Sequence, residues 1–363
     1  MKGPDFTQKT KDTVAKRAGY RCSNPDCRVA TVGPNTEIDD KSTNIGEAAH
    51  IYGARPNSKR FNKEMTDNAR AEITNAIWLC GNCHKKIDTD EKLYTSETLF
   101  RWREVHEEYT LSELGNQTGK IRLDEQNEML EPFKGYPHIV KRIVIDKPDG
   151  WEFMLTAELM RHLNGSTLRK IDDLKNGLYL KPLKHIDQED FLDWLHTRLS
   201  MASELLNPLM NLFNKLVKAW GEPGESGNIK EILHISEMIS KHLEHFISFE
   251  EEVHFVRVPE GFEGAVNLLK NQIGNQLKEV GGFPNQIDDI ISSIDPDGDH
   301  SIDNPMQAKL TMNFELSDGW EKNMDREIRR VKKKLGYKVP MTAKQWALVI
   351  AIFVILWILI EFM

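Results

Sequence analysis

All four cysteines of the chain fall into two short-spaced pairs, "CSNPDC" at Cys22 and Cys27 and "CGNC" at Cys80 and Cys83. The inserts are turn-forming, and tight turns let two sulfurs converge. Two such pairs about fifty residues apart can close a tetrahedral thiolate shell around one ion such as zinc. A four-cysteine shell leaves no open coordination position, so the expected Zn²⁺ is structural and does no chemistry. The first twenty residues, "MKGPDFTQKTKDTVAKRAGY", contain no apolar stretch of the secretory kind,. A reducing cytosol is therefore expected around this segment, where paired cysteines bind metal more often than they form disulfides.

The elements around the pairs are short. "FTQKTKDTVAKRAGYRC" has helical character and stops at Gly19, "NIGEAAHIYG" (44–53) reads as a strand, and "ITNAIWLC" reads as a second strand leading into the second turn. "NCHKKID" should open a helix, where His84 must project away from the direction taken by Cys83. "TSETLFRWREVHEEYTLSEL" predicts a longer helix with Ser96 as N-cap and Leu99, Trp102, Val105 and Tyr109 on one face; His106 is expected on its surface,.

"EAAHI" (47–51), "ITNAIWLC" (73–80) and "CHKKID" (83–88) follow one another in the order His, Asn, then Cys-x-x-Cys-His. Over about residues 5–110 the chain resembles the HNH endonuclease family, in the branch with a four-cysteine zinc knuckle; "RAGYRCSNPDC" and "LFRWREVHEEY" share the likeness. The resemblance implies an α+β, ββα-metal (treble-clef-like) nuclease domain that hydrolyses DNA phosphodiester bonds. It casts His50 as the general base, Asn75 as the residue that orients the base or supports the metal site, and His84 as a ligand of a catalytic Mg²⁺ or Mn²⁺. Many family members carry an acidic metal ligand directly before the base, where this chain has Ala49. Glu47, on the same strand face, and Asp88, one helical turn beyond His84, are the alternatives. Arg55, Lys59, Arg60, Lys63, Lys85 and Lys86 could position a duplex through its phosphates, or simply be solvated. A binding adaptor with a vestigial nuclease site is the second reading, favoured by Ala49.

Charge confines nucleic-acid chemistry to the N-terminal part. Residues 1–110 carry 18 Lys+Arg against 17 Asp+Glu, whereas residues 111–325 carry 22 against 37 and would repel phosphate,. That acidic middle reads as mostly helical, with "EDFLDWLHTRLSMASELLNPLMNLFNKLVKAW" and "NIKEILHISEMISKHLEHFISFEEEV" as long amphipathic helices and "HIVKRIVI" and "HFVRVP" as strands,. It could sense a protein or ligand. "DPDGDHSID" (295–303) has its glycine at the fourth position and Met306 at the twelfth, which is not the EF-hand pattern,. The run "WALVIAIFVILWILI" (346–360), behind the basic "REIRRVKKKLGYK" (326–338), predicts a C-terminal transmembrane helix with the bulk of the chain on the cytoplasmic side,. The expected organisation is thus 1–115 nuclease, 116–338 helical, and 339–363 anchor. The expected protein is a single-pass protein of the bacterial inner membrane, a homo-oligomer in one version, serving in defence against phage DNA.

Overall fold

Residue burial along one short strand sets the layering of the N-terminal part. In the computed structural model, which describes residues 4–38, 40–114, 116–222, 224–270, 272–293, 308–313, 317–337 and 357–362, strand β4 (Ala76–Cys80) is buried at every position. Here β4 is the fourth strand in chain order, after β1 (Val32–Pro34), β2 (Ser42–Asn44) and β3 (Gly46–His50). Strand side chains alternate between faces, and β4 accordingly serves two cores. Ala76 and Trp78 join Phe6, Val14, Ala15 and Ala18, the last three on or just after helix α1 (Gln8–Arg17). Ile77 and Leu79 join Ile51, Ile87, Leu99 and Phe100 on the other side.

Strands β3 and β4 pair antiparallel, with Gly46 opposite Cys80 and His50 opposite Ala76; β1 and β2 form a separate antiparallel pair. Gly46 is required where it stands, because a Cβ there would lie 2.3 Å from the Trp78 ring. The connection from β3 to β4 carries α2 (Asp67–Ala71) and a 3₁₀ turn over Ile73–Asn75, so Asn75 precedes the strand instead of lying on it. Helix α3 (Gly81–Thr89) follows β4 directly, and α4 (Ser96–Glu113) is capped one residue before the expected Ser96: the Thr95 hydroxyl accepts from the Thr98 N–H at 3.2 Å.

The buried stripe of α4 is Leu99, Phe100, Arg103 and His106, not the apolar set Leu99, Trp102, Val105 and Tyr109. His106 is fully buried, against the surface position expected of it, with its Nε2 3.0 Å from the Ala18 carbonyl. Two polar residues can lie on the inner face because both find partners there. Arg103 donates to the carbonyls of Ile73 and Ala76 at 2.6 and 2.7 Å, and pairs with Glu107 at 2.9 Å and Asp146 at 3.2 Å. Asp146 ends α6 (His138–Asp146), which follows α5 (Asn116–Leu130) and a 3₁₀ turn at Glu131–Phe133. "HIVKRIVI" is therefore a helix and not a strand. Its β-branched residues fill the apolar face, with Val140, Ile143 and Val144 buried, and Arg142 reaches Asp146 one turn on at 2.5 Å.

The chain divides into two compact units, Met1–Trp151 and Glu152–Met363. The second is mostly helical: α7 (Trp151–Lys175), α8 (Phe191–Trp220), α9 (Ile229–His254), α10 (Glu263–Leu269), α11 (Gln272–Ser293) and α12 (Trp320–Lys334). The predicted amphipathic pair is present as α8 and α9, whose leucine, isoleucine and phenylalanine stripes are buried. Of "HFVRVP" only Val256–Arg257 (β6) is strand, parallel to Lys184–His185 (β5).

Among the described residues no helix is long and apolar enough to cross a membrane. Within the C-terminal apolar run, Trp357–Phe362 form β8, which pairs antiparallel with β7 (Ala308–Asn313) from Ala308 opposite Phe362 to Asn313 opposite Trp357. That corrects the predicted C-terminal transmembrane helix, and with it the single-pass inner-membrane placement. A run rich in isoleucine and leucine meets the apolarity of a span, yet it fits a paired strand equally well. The rest of that run, residues 346–356, and the acidic turn at 295–303 lie outside the described residues.

The cluster of Arg17, Arg103, Glu107, Arg142 and Asp146 predicts how the first unit unfolds. The arginines hold the buried Glu107 and Asp146 carboxyls below their ordinary range, overcoming the upward push of burial. Both groups take up protons more readily when unfolded, so stability is present at neutral pH and declines as pH falls below about 4, where free carboxylates titrate. Arg103→Ala removes one of the three arginines that neutralise the two carboxylates and leaves the Ile73 and Ala76 carbonyls without their donor; it should cost about 3–5 kcal/mol, read by urea unfolding of the full chain at pH 7. A loss below about 1 kcal/mol would show that the cluster is not the tie described.

Candidate metal centre and histidine site

The turn that follows α1 brings the first cysteine pair onto β4. Gly19 and Tyr20 adopt left-handed φ values of 56° and 52°, which reverse the chain. The Asn24 side chain closes the "SNPD" turn by accepting from the Asp26 N–H at 3.0 Å, and the Ser23 N–H donates to the Trp78 carbonyl at 2.9 Å. The second pair needs no loop: Cys80 is the N-cap of α3 and Cys83 lies in its first turn. The sulfurs of Cys22, Cys27, Cys80 and Cys83 all lie within 4.8 Å of one another, and this set could hold a metal ion such as zinc. Among the described residues it is the one group of three or more potential ligands so placed.

The surroundings favour a cation there. Burial pushes the Cys22 and Cys83 thiols up from their ordinary range. Burial opposes ionisation of Cys80 as well, but hydrogen bonds from its cysteine neighbours bring that thiol down. The Asn24 amide donates to the Cys83 sulfur at 3.3 Å, a contact that stabilises a thiolate,. A buried set of four sulfurs is costly to ionise without a positive ion and inexpensive with one.

The histidines lie on the same hairpin and helix. His84 leaves α3 on the side away from Cys83. Its Nδ1 lies 2.5 Å from the Glu47 carboxylate and its Nε2 3.5 Å from that of Asp88. The Glu47 and Asp88 side chains are 58% and 54% exposed and His84 is 29% exposed, so the three face solvent. Ala49, in contrast, is buried in the core, and Glu47 is the carboxylate that β3 presents. His50 ends β3. Its Nε2 is buried with no hydrogen-bond partner, and Phe6 stacks on its ring at 3.9 Å and 16°. Burial pushes the His50 pKa down to about 4; Asp5 acts in the opposite direction, and His84 and Lys11 add to the fall. The ring is therefore neutral at pH 7.

Asn75 is fully buried, and its amide clamps backbone. It donates to the carbonyls of Tyr52 and Arg70 at 2.9 and 3.0 Å, while its Oδ1 accepts from the Tyr52 N–H at 2.7 Å. Its own carbonyl accepts from the Ile51 N–H at 2.9 Å. These bonds fix the chain just after His50. Arg60, a candidate phosphate contact, is likewise used internally: it donates to the carbonyls of Ile51 and Ile87 at 2.9 and 2.6 Å and pairs with Asp88 at 3.1 Å. Arg55, Lys59, Lys63, Lys85 and Lys86 are exposed. The residues that sequence reading passed over are Phe6, Arg103 and the bracing role of Arg60. Only Phe6, the one aromatic before α1, carries any local signal.

Comparison of the chain with models of known protein families, with curated proteins and with solved structures finds no match.

The cysteine cluster should carry about one metal ion per chain, measured by elemental analysis of the purified full chain. Cys22→Ser or Cys83→Ser should lose the ion and unfold the first unit, because binding and folding are linked in small sites of this kind. Since the thiols of Cys22 and Cys83 are pushed up, protons compete for them and metal should be released as pH is lowered. A folded, metal-free chain would contradict the assignment.

Proposed function

We propose that the first unit is a metal-dependent phosphodiesterase of the HNH type that cleaves DNA, with the four cysteines holding a structural zinc. The observation that carries this reading is the placement of His84 between the carboxylates of Glu47 and Asp88, on the same hairpin that ends in a neutral, buried-edge His50. Phosphodiester hydrolysis needs a base to activate water and positive charge to offset that developing on the phosphate. His50 is the base: unprotonated at pH 7, it can accept a proton from water. Glu47 and His84 offer a carboxylate and a ring nitrogen at an exposed edge, while Asp88, on the other ring nitrogen, orients the imidazole,. An open site of this kind suits a divalent cation such as Mg²⁺ or Mn²⁺ that keeps several of its waters. When bound, such an ion would supply charge neutralisation at the phosphate and leaving oxygen. Asn75 and Arg60 hold the chain after β3, and so keep His50 in register with α3. The exposed Lys85 and Lys86, on the helix that bears His84, are placed to meet phosphate oxygens,.

A second reading, a zinc-knuckle binding adaptor for nucleic acid or protein, is favoured by the buried Ala49 at the position where an acidic ligand is common in the family. The two readings differ in whether a phosphodiester bond is broken.

Plasmid cleavage by the full chain with Mg²⁺ or Mn²⁺ decides between them. His50→Ala should lower the rate about 10²- to 10⁴-fold while metal content and thermal unfolding stay as in the wild type. Because the His50 pKa is pushed down to about 4, its base form persists well below neutrality. Activity in the free enzyme should therefore keep its value through pH 6.5 and fall only as pH approaches the lowered pKa. Wild-type cleavage by His50→Ala would remove His50 from the mechanism. A wild-type chain that binds DNA without cutting it would leave the adaptor.

A further inference from the structure

The N-terminal segment before α1 has no assigned role, yet it crosses the end of β3. Phe6 is 3% exposed and packs with Val14, Ala15 and Ala18 of the α1 region and with Ala76 and Trp78 of β4. Its position is fixed on both flanks. The Phe6 N–H is held by the Asp5 carboxylate at 2.9 Å, Asp5 pairs with Lys11 at 3.0 Å, and Thr7 caps α1. From this anchored site the Phe6 ring lies nearly flat against His50, with centroids 3.9 Å apart and planes at 16°. His50, at the end of its strand, has no hydrogen-bond partner on its buried Nε2, and the ring's hydrogen bond to backbone is to Pro4 of this same N-terminal segment. A histidine side chain rotates about two bonds, and one hydrogen bond at one ring edge leaves the plane to be set by packing.

We propose that Phe6 is a positioning residue for His50: the stacked phenyl ring, locked in the core between α1 and β4, sets the plane of the imidazole and shields one of its faces from water. This inference rests on the reading of His50 as the base of a phosphodiesterase. Phe6 touches neither substrate nor ion and acts through His50 alone. Orientation matters because a base held in a reactive geometry gains much of its rate advantage from that placement, and a misplacement near 1 Å can cost about 100-fold. Shielding matters because an imidazole kept from water is harder to protonate. The charged and titratable groups acting on the ring are Asp5 and Lys11 from the N-terminal segment and α1, and His84 from α3. Removing the phenyl ring changes none of them.

The test is made on the full chain with Phe6→Leu, which keeps apolar volume and removes the flat ring, and with Phe6→Tyr, which restores a ring. The His50 imidazole is followed by NMR in carbon-13 histidine-labelled protein without added divalent ion, the resonance being assigned by its loss in His50→Gln. In parallel, plasmid cleavage is measured with Mg²⁺. Phe6→Leu should move the His50 titration up towards that of a free histidine and lower kcat about 10- to 100-fold with KM little changed. Phe6→Tyr should restore both. Should Phe6→Leu lose its metal or its cooperative unfolding, Phe6→Met, a more adaptable apolar residue, replaces it with the same expectations. An unchanged His50 titration in a folded Phe6→Leu or Phe6→Met chain overturns the proposal, as does a loss of activity that Phe6→Tyr fails to recover. If the wild type does not cleave DNA, the phosphodiesterase reading fails on its own, while the NMR titration still judges whether Phe6 governs His50.

Discussion

The convergence of four sulfurs within 4.8 Å is the contact on which the rest of the first unit depends. It joins a turn after α1 to the junction of β4 and α3, stretches of chain about fifty residues apart. Closing so long a loop carries a large entropic cost that short strands alone would offset poorly. Once it is closed, β4 is held from its Cys80 end, the pairing of Gly46 with Cys80 fixes the register of β3, and α3 must start at Gly81. Register matters for chemistry because strand side chains alternate. A slip of one residue would turn Glu47 inward and remove it from His84. The same turn of α3 that points Cys83 into the cluster points His84 out of it, so the sulfur centre and the histidine site share one scaffold and have opposite surroundings.

Behind that scaffold a second tie is made of charge. Arg103 is buried to 1% exposure, and its hydrogen bonds to the Ile73 and Ala76 carbonyls hold the 3₁₀ turn that carries Asn75. Asn75 in turn holds the backbone after His50. Asp146 is thus tied through Arg103 to the two residues that flank the Thr74–Asn75 backbone, and Asn75 to the chain after β3. Ionised groups this deeply buried add little net stability when paired and are very costly when one partner is removed. Their effect is to specify one arrangement. In this cluster the arrangement specified is the backbone that follows His50.

The parts legible in the sequence were those with short-range signals. Paired cysteines across turn residues, a histidine directly after the second pair, and the short apolar run of β4 announce themselves within a few residues. Long-range polar contacts do not. His106 was expected at the surface and Arg103 and Glu107 drew no reading, because apolar periodicity cannot register a polar residue whose partners are 88, 30 or 35 positions away. "HIVKRIVI" looked like a strand because β-branched residues dominate it; the Arg142–Asp146 pair, one turn apart, was the helical signal within it. The tail was misread for a related reason. Apolarity on every side describes what a segment avoids, and β8 satisfies it by pairing with β7. Phe6 could be seen as an isolated aromatic, but its partner His50 could be named only once the chain was folded.

Glu47 and His84 are joined at 2.5 Å, and whether they act as one functional unit, as proposed, is decided by a double-mutant cycle on plasmid cleavage by the full chain. Glu47→Gln and His84→Ala should each remove most of the Mg²⁺-dependent rate, and the double variant should be little worse than either alone, as expected of groups that hold one ion together. Losses that multiply independently, or a wild-type rate in His84→Ala, would contradict the account.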